Sequence, residues 1–130
     1  MGLLNKVLGN AREIDADKLE SEFSNILIEG EEITQAFKII RDTFVFTNRR
    51  LVLVDKQGIT GKKTEYLSIP YREISRFSVE TAGTYDMDSE LKIYISGNDS
   101  PTVKKEFSKG TDIKAIQKTL ASYILNSDKR

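Results

Sequence analysis

A serine and a lysine stand three residues apart in the run Ser89-Glu90-Leu91-Lys92, which is the Ser-x-x-Lys spacing of serine acyl-transfer enzymes. That chemistry needs both side chains on one face, as positions i and i+3 of a helix provide. Residues 90–96 instead alternate between polar and apolar side chains, which predicts a strand. A strand sends Ser89 and Lys92 to opposite faces, so we expect no catalysis here.

Two further motifs lack the context that their chemistry requires. Asp86, Asp88 and Glu90 resemble the start of a calcium loop, but Leu91 stands where the sharp turn needs glycine and no glutamate closes the loop. The run Gly58-Ile59-Thr60-Gly61 matches the GxxG of KH domains, where it joins two helices and clamps a nucleic-acid backbone. Here it falls between predicted strands. We therefore predict a solvated turn and a hairpin loop.

The composition removes most other catalytic and metal chemistry. The 130 residues include no His and no Cys, which excludes imidazole acid–base catalysis, thiol nucleophiles and zinc–thiolate sites. Twenty basic and 20 acidic side chains give zero net charge, which argues against nucleic-acid binding. The N-terminus lacks a signal-peptide pattern, and no apolar run is long enough to span a membrane. We expect a cytoplasmic protein with no enzyme activity, metal or cofactor.

Four basic residues are the candidate contact site: Arg49, Arg50, Lys62 and Lys63. They would converge if two hairpins stack side by side. Guanidinium groups suit carboxylates and phosphates alike, so the site would hold anionic lipid, a phosphorylated ligand or the acidic arm of a neighbour. In the alternative interpretation, Arg49 and Arg50 hold the turn and cover strand edges.

Charge is sorted along the chain although the total cancels. Residues 13–32 hold eight acids and one base, residues 49–63 hold five bases and one acid, and residues 104–118 hold five bases and two acids. These segments would be complementary within one chain or between copies. Alternatively, they are solvated faces without a specific partner.

The elements that must position these residues follow from hydrophobic periodicity. Residues 1–30 form a helical arm, with a short apolar stripe over 3–8 and a second helix capped by Asp15. Seven short strands follow from Ile33, and residues 47–50 form a tight turn because Asn tolerates left-handed backbone angles. An amphipathic helix, capped by Thr111 or Asp112, ends the domain of residues 31–126; it carries Ile113, Ile116, Leu120 and Ile124 on one face.

A family resemblance rests on the central residues. The run Val45-Phe46-Thr47-Asn48-Arg49-Arg50-Leu51-Val52-Leu53-Val54-Asp55-Lys56-Gln57-Gly58, with its continuation from Thr60 to Ile74, is similar to the bacterial pleckstrin-homology (PH) family. The resemblance extends over about residues 20–126. It implies a mainly β, PH-like fold: a seven-stranded bent antiparallel barrel capped by a C-terminal helix. It also implies homo-oligomers, because members are similar to ring-forming proteins, and it implies no enzyme activity.

These observations predict a non-enzymatic scaffold that self-associates into a homo-oligomer. The first alternative is a peripheral module that binds anionic lipid or a phosphorylated ligand through the four basic residues. The second is a module that binds a protein partner by adding a peptide strand at an open sheet edge. A membrane contact through the stripe at 3–8 has weak support, because only Lys6 and Arg12 flank it.

Overall fold

The computed structural model of the protein describes residues 6–7, 16–38, 42–57, 63–81, 88–108 and 113–126. The chain divides into two units, residues 1–69 and 70–130. In order along the chain the elements are β1 (Lys6–Val7), α1 (Ala16–Phe23), β2 (Ile33–Lys38), β3 (Asp42–Thr47), β4 (Arg50–Gln57), β5 (Lys63–Pro70), a 3-10 helix (Tyr71–Glu73), β6 (Ile74–Glu80), β7 (Asp88–Ile95), β8 (Val103–Ser108) and α2 (Ile113–Leu125).

The first unit is a sheet in the order β1-β2-β3-β4-β5 with α1 packed on it. Strands β2, β3 and β4 pair in antiparallel fashion, and Phe37 of β2 stacks on Phe44 of β3. Phe44, Val45 and Phe46 are all completely buried. Because successive side chains point to opposite faces, both faces of β3 are covered.

Helix α1 covers one of these two faces. Its Leu19 and Phe23 form a single apolar cluster with Val45, Val52 and Val54. The run from Leu51 to Val54 is buried throughout, as its apolar character on both faces predicts. The second N-terminal helix that the sequence predicts is therefore confirmed, and its apolar side chains belong to the core of the first unit.

The helix predicted over residues 3–8 is wrong where the structure describes that segment. Lys6 and Val7 form β1, which pairs in parallel with Gln35 and Ala36 of β2. A stripe of barely two turns is too short to overcome the unfavourable nucleation of a helix, whereas the edge of β2 supplies backbone hydrogen-bond partners. Residues 3–5 and 8, and the cap at Asp15, lie outside the described residues.

The second unit contains the antiparallel sheet β6-β7-β8 and helix α2. Leu91 and Ile93 of β7 are buried, as are Val103 and Phe107 of β8. The predicted hairpin between β7 and β8 is present, and its Gly97 has a φ of 88°, a left-handed angle that glycine adopts without strain.

Helix α2 packs against β6 and the 3-10 helix, and its Tyr123 stacks on Tyr71. The predicted apolar face is confirmed, because Ile113, Ile116, Leu120 and Ile124 are buried. The predicted polar positions Lys114, Lys118 and Ser122 are exposed. Its caps, Thr111 and Asp112, lie outside the described residues. In the part of the chain that the structure describes, no helix is long and apolar enough to cross a membrane.

Candidate interaction surfaces

The predicted turn between β3 and β4 is confirmed, and a buried ion pair ties it to the loop that follows α1. The carboxylate of Glu31 accepts hydrogen bonds from Arg50 Nε at 2.8 Å and from Arg50 Nη2 at 2.9 Å. It also accepts the Thr47 hydroxyl at 2.7 Å and the Ile28 N–H at 3.0 Å. The Glu31 side chain has no exposed surface, whereas that of Arg50 is 22% exposed. A bidentate pair of this kind fixes the geometry of both partners.

The charge state of this pair follows from its contacts. Burial by itself would raise the pKa of Glu31, but the hydrogen bonds from Arg50, Thr47 and the Ile28 N–H, with the positive charge of Arg50, lower the pKa below its ordinary value. The hydrogen bond to Glu31 raises the pKa of Arg50 in turn. Both groups are therefore charged at neutral pH.

Side chains rather than an unusual backbone angle hold the turn itself. The Thr47 hydroxyl accepts the N–H groups of Arg49 and Arg50. Asn48 accepts the Glu32 N–H at 2.8 Å and donates to the Gly30 carbonyl at 3.0 Å. Among the described residues only glycines have a positive φ, so Asn48 does not use the left-handed angle that was the reason for predicting the turn. Its amide instead links two loops, a use of Asn that is equally typical of turns.

The arginine pair divides into one internal and one exposed residue. Arg50 is committed to Glu31, to the Ile26 carbonyl at 2.9 Å and to Ser68 at 2.9 Å. This is the structural role proposed for it as the alternative. Arg49 is exposed, and its guanidinium has no hydrogen bond or ion pair within the described ranges.

Lys63, the described lysine of the predicted site, does not lie beside Arg50. Five residues, 58–62, connect β4 to β5, too few for a parallel crossover, so these neighbouring strands are antiparallel. Ser68 of β5 accepts a hydrogen bond from Arg50, and Lys63 lies five residues before Ser68, about 17 Å along the strand at ~3.3 Å per residue. Lys62 lies outside the described residues. Anion or partner contact by these residues stays a prediction.

The structure supports neither an acyl-transfer site nor a calcium loop at the described residues of the remaining sequence motifs. Ser89 is buried, while Lys92 lies on the exposed face of β7, so the two side chains point apart. The same strand contains Asp88 and Glu90, so the solvated turn predicted for Asp86, Asp88 and Glu90 is wrong at these two residues, and a calcium loop is excluded there. Asp86 and the run 58–61 lie outside the described residues. Within the described ranges, no three carboxylate, His or Cys residues are grouped to hold a metal ion.

A contact on the exposed side of the first unit fastens α1 to the sheet. The Tyr66 hydroxyl of β5 donates to Glu22 at 2.5 Å, and its ring meets Phe23 edge to face. The hydrogen bond to Glu22, together with burial and the carboxylate charge, raises the pKa of Tyr66 to about 12. Tyr66 is 39% exposed, so this link is accessible to solvent.

The outer face of the second sheet carries charge in rows that run across the strands. Residues paired between neighbouring strands point to the same face, about 5 Å apart. Glu90 of β7 is paired with Glu80 of β6 and Glu106 of β8, which makes an acidic row. Two residues along, Lys92 is paired with Lys104, and Ser78 completes this basic row. We call the surface formed by these two rows the charged face.

One more base extends the positive side of the charged face. Arg76 pairs with Tyr94 beyond the basic row, and its guanidinium lies 4.0 Å from the centre of the Tyr94 ring. The face therefore carries three acids on one side and three bases on the other. Like charges directly opposite each other destabilise a sheet, so this arrangement is unfavourable for an isolated sheet. These rows could not be predicted from the sequence, because they appear only once the strand register is known.

The comparisons with known proteins agree with this architecture. The model of the bacterial PH domain family matches residues 2–124. The uncharacterised protein YjqA of Bacillus subtilis is 57% identical over 122 residues, which cover 94% of this chain and 98% of that protein. The uncharacterised protein YozO of the same organism is 33% identical, covering 88% of this chain and 93% of that protein. None of these descriptions names an enzyme activity.

Two solved structures are similar over nearly the whole chain. A PH domain from Shewanella amazonensis matches with a TM-score of 0.79 and 57% identity, covering 91% of this chain and 94% of that one. A protein with a PH domain from Shewanella loihica matches with a TM-score of 0.75 and 53% identity, covering 89% and 98%.

Proposed function

Because the chain belongs to the bacterial PH domain family, we propose that it is a non-enzymatic interaction module that self-associates into a homo-oligomer. The observation that supports this proposal is the sorting of exposed charge by sign. Helix α1 and the loop after it carry the exposed acids Asp17, Glu29 and Glu32 and the half-buried acids Glu20 and Glu22. Lys18 is the one base that the structure describes in this segment. Helix α2 exposes Lys114 and Lys118 instead.

Sorted charge favours association between copies for an electrostatic reason. Zero net charge means that two copies do not repel each other overall. Opposite patches on one chain are then complementary to the same patches on another chain, which speeds encounter and selects the orientation of docking. Oriented docking of identical chains gives a closed assembly when the rotation between neighbouring copies closes, and the ring implied by the family resemblance is such an assembly.

The test is the mass of the full chain in solution. Light scattering coupled to size exclusion, at tens of micromolar protein, should give a mass of at least two chains of 14.7 kDa, and this mass should fall as salt is added. Reversing Lys114 and Lys118 to Glu should weaken the assembly, whereas Lys18→Glu, the same change within the acidic segment, should not. A monomer at every concentration would refute self-association.

A second candidate function rests on the free guanidinium of Arg49. An exposed Arg without an internal partner is suited to a phosphate group of anionic lipid or of a phosphorylated ligand. Sedimentation with anionic vesicles should then show binding that Arg49→Ala reduces and Lys56→Ala, at the other end of β4, leaves unchanged. Equal binding by both variants would exclude this site. Peptide addition at a sheet edge stays a prediction; the β2 edge already holds β1.

A further inference from the structure

We infer that the open edge of β6 is a docking site for an extended peptide segment of a partner protein, which adds an antiparallel strand to the sheet β6-β7-β8. This function is additional to self-association and does not depend on it. Two independent observations support the site: the direction of the β6 backbone groups, and the side chains that stand at the same positions.

Hydrogen bonds made by β7 show which way its backbone groups point. The Ile93 carbonyl accepts the Thr102 N–H at 2.8 Å, from the side of β8. The carbonyl of the next residue, Tyr94, accepts the Ser75 hydroxyl at 3.3 Å, from the side of β6. This alternation is the one expected along a strand, and it assigns the backbone groups of Ile93 to β8 and those of Tyr94 to β6.

The backbone direction of β6 follows from that of β7. Phe77 is paired with Ile93, and Val79 is paired with Leu91, two residues before Ile93. Because Leu91 and Ile93 turn their backbone groups away from β6, these are non-hydrogen-bonded pairs, and the N–H and C=O groups of Phe77 and Val79 point to the open edge. In the described part of the chain, these groups have no hydrogen-bond partner. Open groups at alternate residues are a template for an added strand.

The side chains at the same two positions are apolar, and both are only half-buried. The residues between and beside them, Arg76, Ser78 and Glu80, are exposed on the charged face. Helix α2 packs against β6 and leaves that face uncovered, so it lies on the face of Phe77 and Val79. Residues directly opposite each other on neighbouring strands point to the same face. Apolar ligand residues opposite Phe77 and Val79 would therefore cover both side chains.

The other edge of the same sheet lacks this combination. Val103 is paired with Ile93, whose carbonyl faces β8, so the alternate residues Lys104 and Glu106 turn their backbone groups to the β8 edge. The side chains of Lys104 and Glu106 are charged and exposed. A strand added at β8 would gain backbone hydrogen bonds but would bury little apolar surface, so β6 is the favoured edge.

Charge at the two ends of the β6 edge determines the remaining ligand positions. Arg76 and Glu80 are exposed, and neither has an ion pair within the described ranges. Antiparallel pairing, which is the more stable arrangement per residue, places an acidic ligand residue opposite Arg76 and a basic one opposite Glu80. From its N-terminus the ligand is therefore basic, apolar, polar, apolar and acidic. A peptide with Lys-Val-Thr-Val-Glu at its centre has this pattern.

Fluorescence anisotropy of this labelled peptide, titrated with the full unmodified chain, tests the site. We expect saturable binding that depends on the peptide backbone. Methylating the two valine amide nitrogens, which would donate to the carbonyls of Phe77 and Val79, should weaken binding at least about tenfold. Methylating the amide nitrogen of the central threonine, which faces away from β6, should change binding less than about threefold.

A proline substitution tests the same edge from the side of the protein. Val79→Pro removes an N–H that takes part in no hydrogen bond of the sheet, and edge strands tolerate proline at such positions. We expect Val79→Pro to weaken peptide binding at least about tenfold, because the added strand loses a backbone bond and an apolar contact. Glu106→Pro is the matched control at the β8 edge and should leave binding unchanged. Circular dichroism and thermal unfolding check that both variants are folded.

The outcomes separate this site from self-association. Binding that valine methylation and Val79→Pro both weaken supports the β6 edge. No saturable binding by the unmodified chain at up to about 1 mM, or equal binding of all the methylated peptides, overturns the site and leaves self-association standing. Binding that only Glu106→Pro weakens assigns the peptide to β8 and also overturns the inference. An oligomer that Val79→Pro alone dissociates, measured by light scattering, would assign the β6 edge to a second copy and overturn the peptide site. A monomeric chain that binds the peptide at β6 would refute self-association alone.

Discussion

Replacing Glu31 by Gln should destabilise the first unit substantially, although the change removes no atoms from the core. The amide nitrogen that replaces one oxygen cannot accept a hydrogen bond, and the remaining oxygen carries no charge. The side chain then loses part of its contacts with Thr47 and Arg50 and leaves the Arg50 guanidinium without its counter-charge. A buried charge that loses its partner is one of the few causes of large destabilisation by a single substitution.

The magnitude follows from the exposure of the two partners. Breaking a fully buried ion pair costs about 3–5 kcal/mol. Arg50 retains 22% exposure, and it also keeps its bonds to the Ile26 carbonyl and to Ser68. We therefore expect the free energy of unfolding to fall by about 2–3 kcal/mol, and the melting temperature by roughly 8–12 °C for a chain of this size.

Urea unfolding followed by far-ultraviolet circular dichroism measures this change, because the chain has no Trp for fluorescence. Glu32→Gln is the matched control, since Glu32 is exposed and the described contact with Asn48 uses its backbone N–H. All variants are compared at one protein concentration, because self-association would add to the apparent stability. A loss for Glu31→Gln within about 0.5 kcal/mol of the control would refute the assigned role of the pair.

Three further predictions concern the same unit. The lowered pKa of Glu31 stabilises the fold above the unfolded-state value of 4.5, and this contribution should disappear as the pH falls through the folded-state pKa; Glu31→Gln should flatten that part of the acid-unfolding curve. Because folding raises the pKa of Tyr66 from 10.0 to about 12, the contact of Tyr66 with Glu22 stabilises the fold below pH 10.0, and this contribution is lost between pH 10.0 and about 12. In an absorbance titration, Glu22→Gln should move the ionisation of Tyr66 back towards 10.0. An unchanged titration would exclude the Glu22 contact. Thr47→Ala should cost about 1–2 kcal/mol in chemical unfolding, because three hydrogen bonds at its hydroxyl are lost, whereas Thr47→Ser should cost clearly less; equal losses would assign the effect to the methyl group.

The fold class was predictable from the sequence because its signals are local. Each predicted strand from residue 33 onwards corresponds to one of β2 to β8, and the apolar stripe of α2 lies at helical spacing. The PH-like fold predicted from the resemblance is confirmed by the match to solved PH domains at TM-scores of 0.79 and 0.75. Periodicity failed at Lys6 and Val7, where pairing with β2 decides the structure and a stripe of two turns does not.

The Glu31–Arg50 pair could not be predicted, because its members are 19 residues apart and belong to different elements. In the sequence Glu31 is one of eight acids in residues 13–32, and nothing local distinguishes it from Glu29 or Glu32. The distinction arises when the loop after α1 turns at Gly30, whose φ of 82° favours glycine, and points a single carboxylate inward. Arg50, which was a candidate contact residue in the sequence, therefore pairs with Glu31 within the first unit.

The charged face could not be predicted from the sequence either. There the strand register places charges together on the surface, whereas the Glu31–Arg50 pair removes a charge from the surface. In the sequence, Glu80, Glu90 and Glu106 are separated by 10 and 16 positions and belong to no common run. Only the pairing of β6, β7 and β8 brings them into one row, and a shift of one residue in either pairing would send one of them to the buried face. A zero net charge is therefore compatible with a strongly polarised surface. The composition, without His or Cys, excludes imidazole and thiol catalysis, but it does not show which surface a partner would contact. That surface is determined by the strand register.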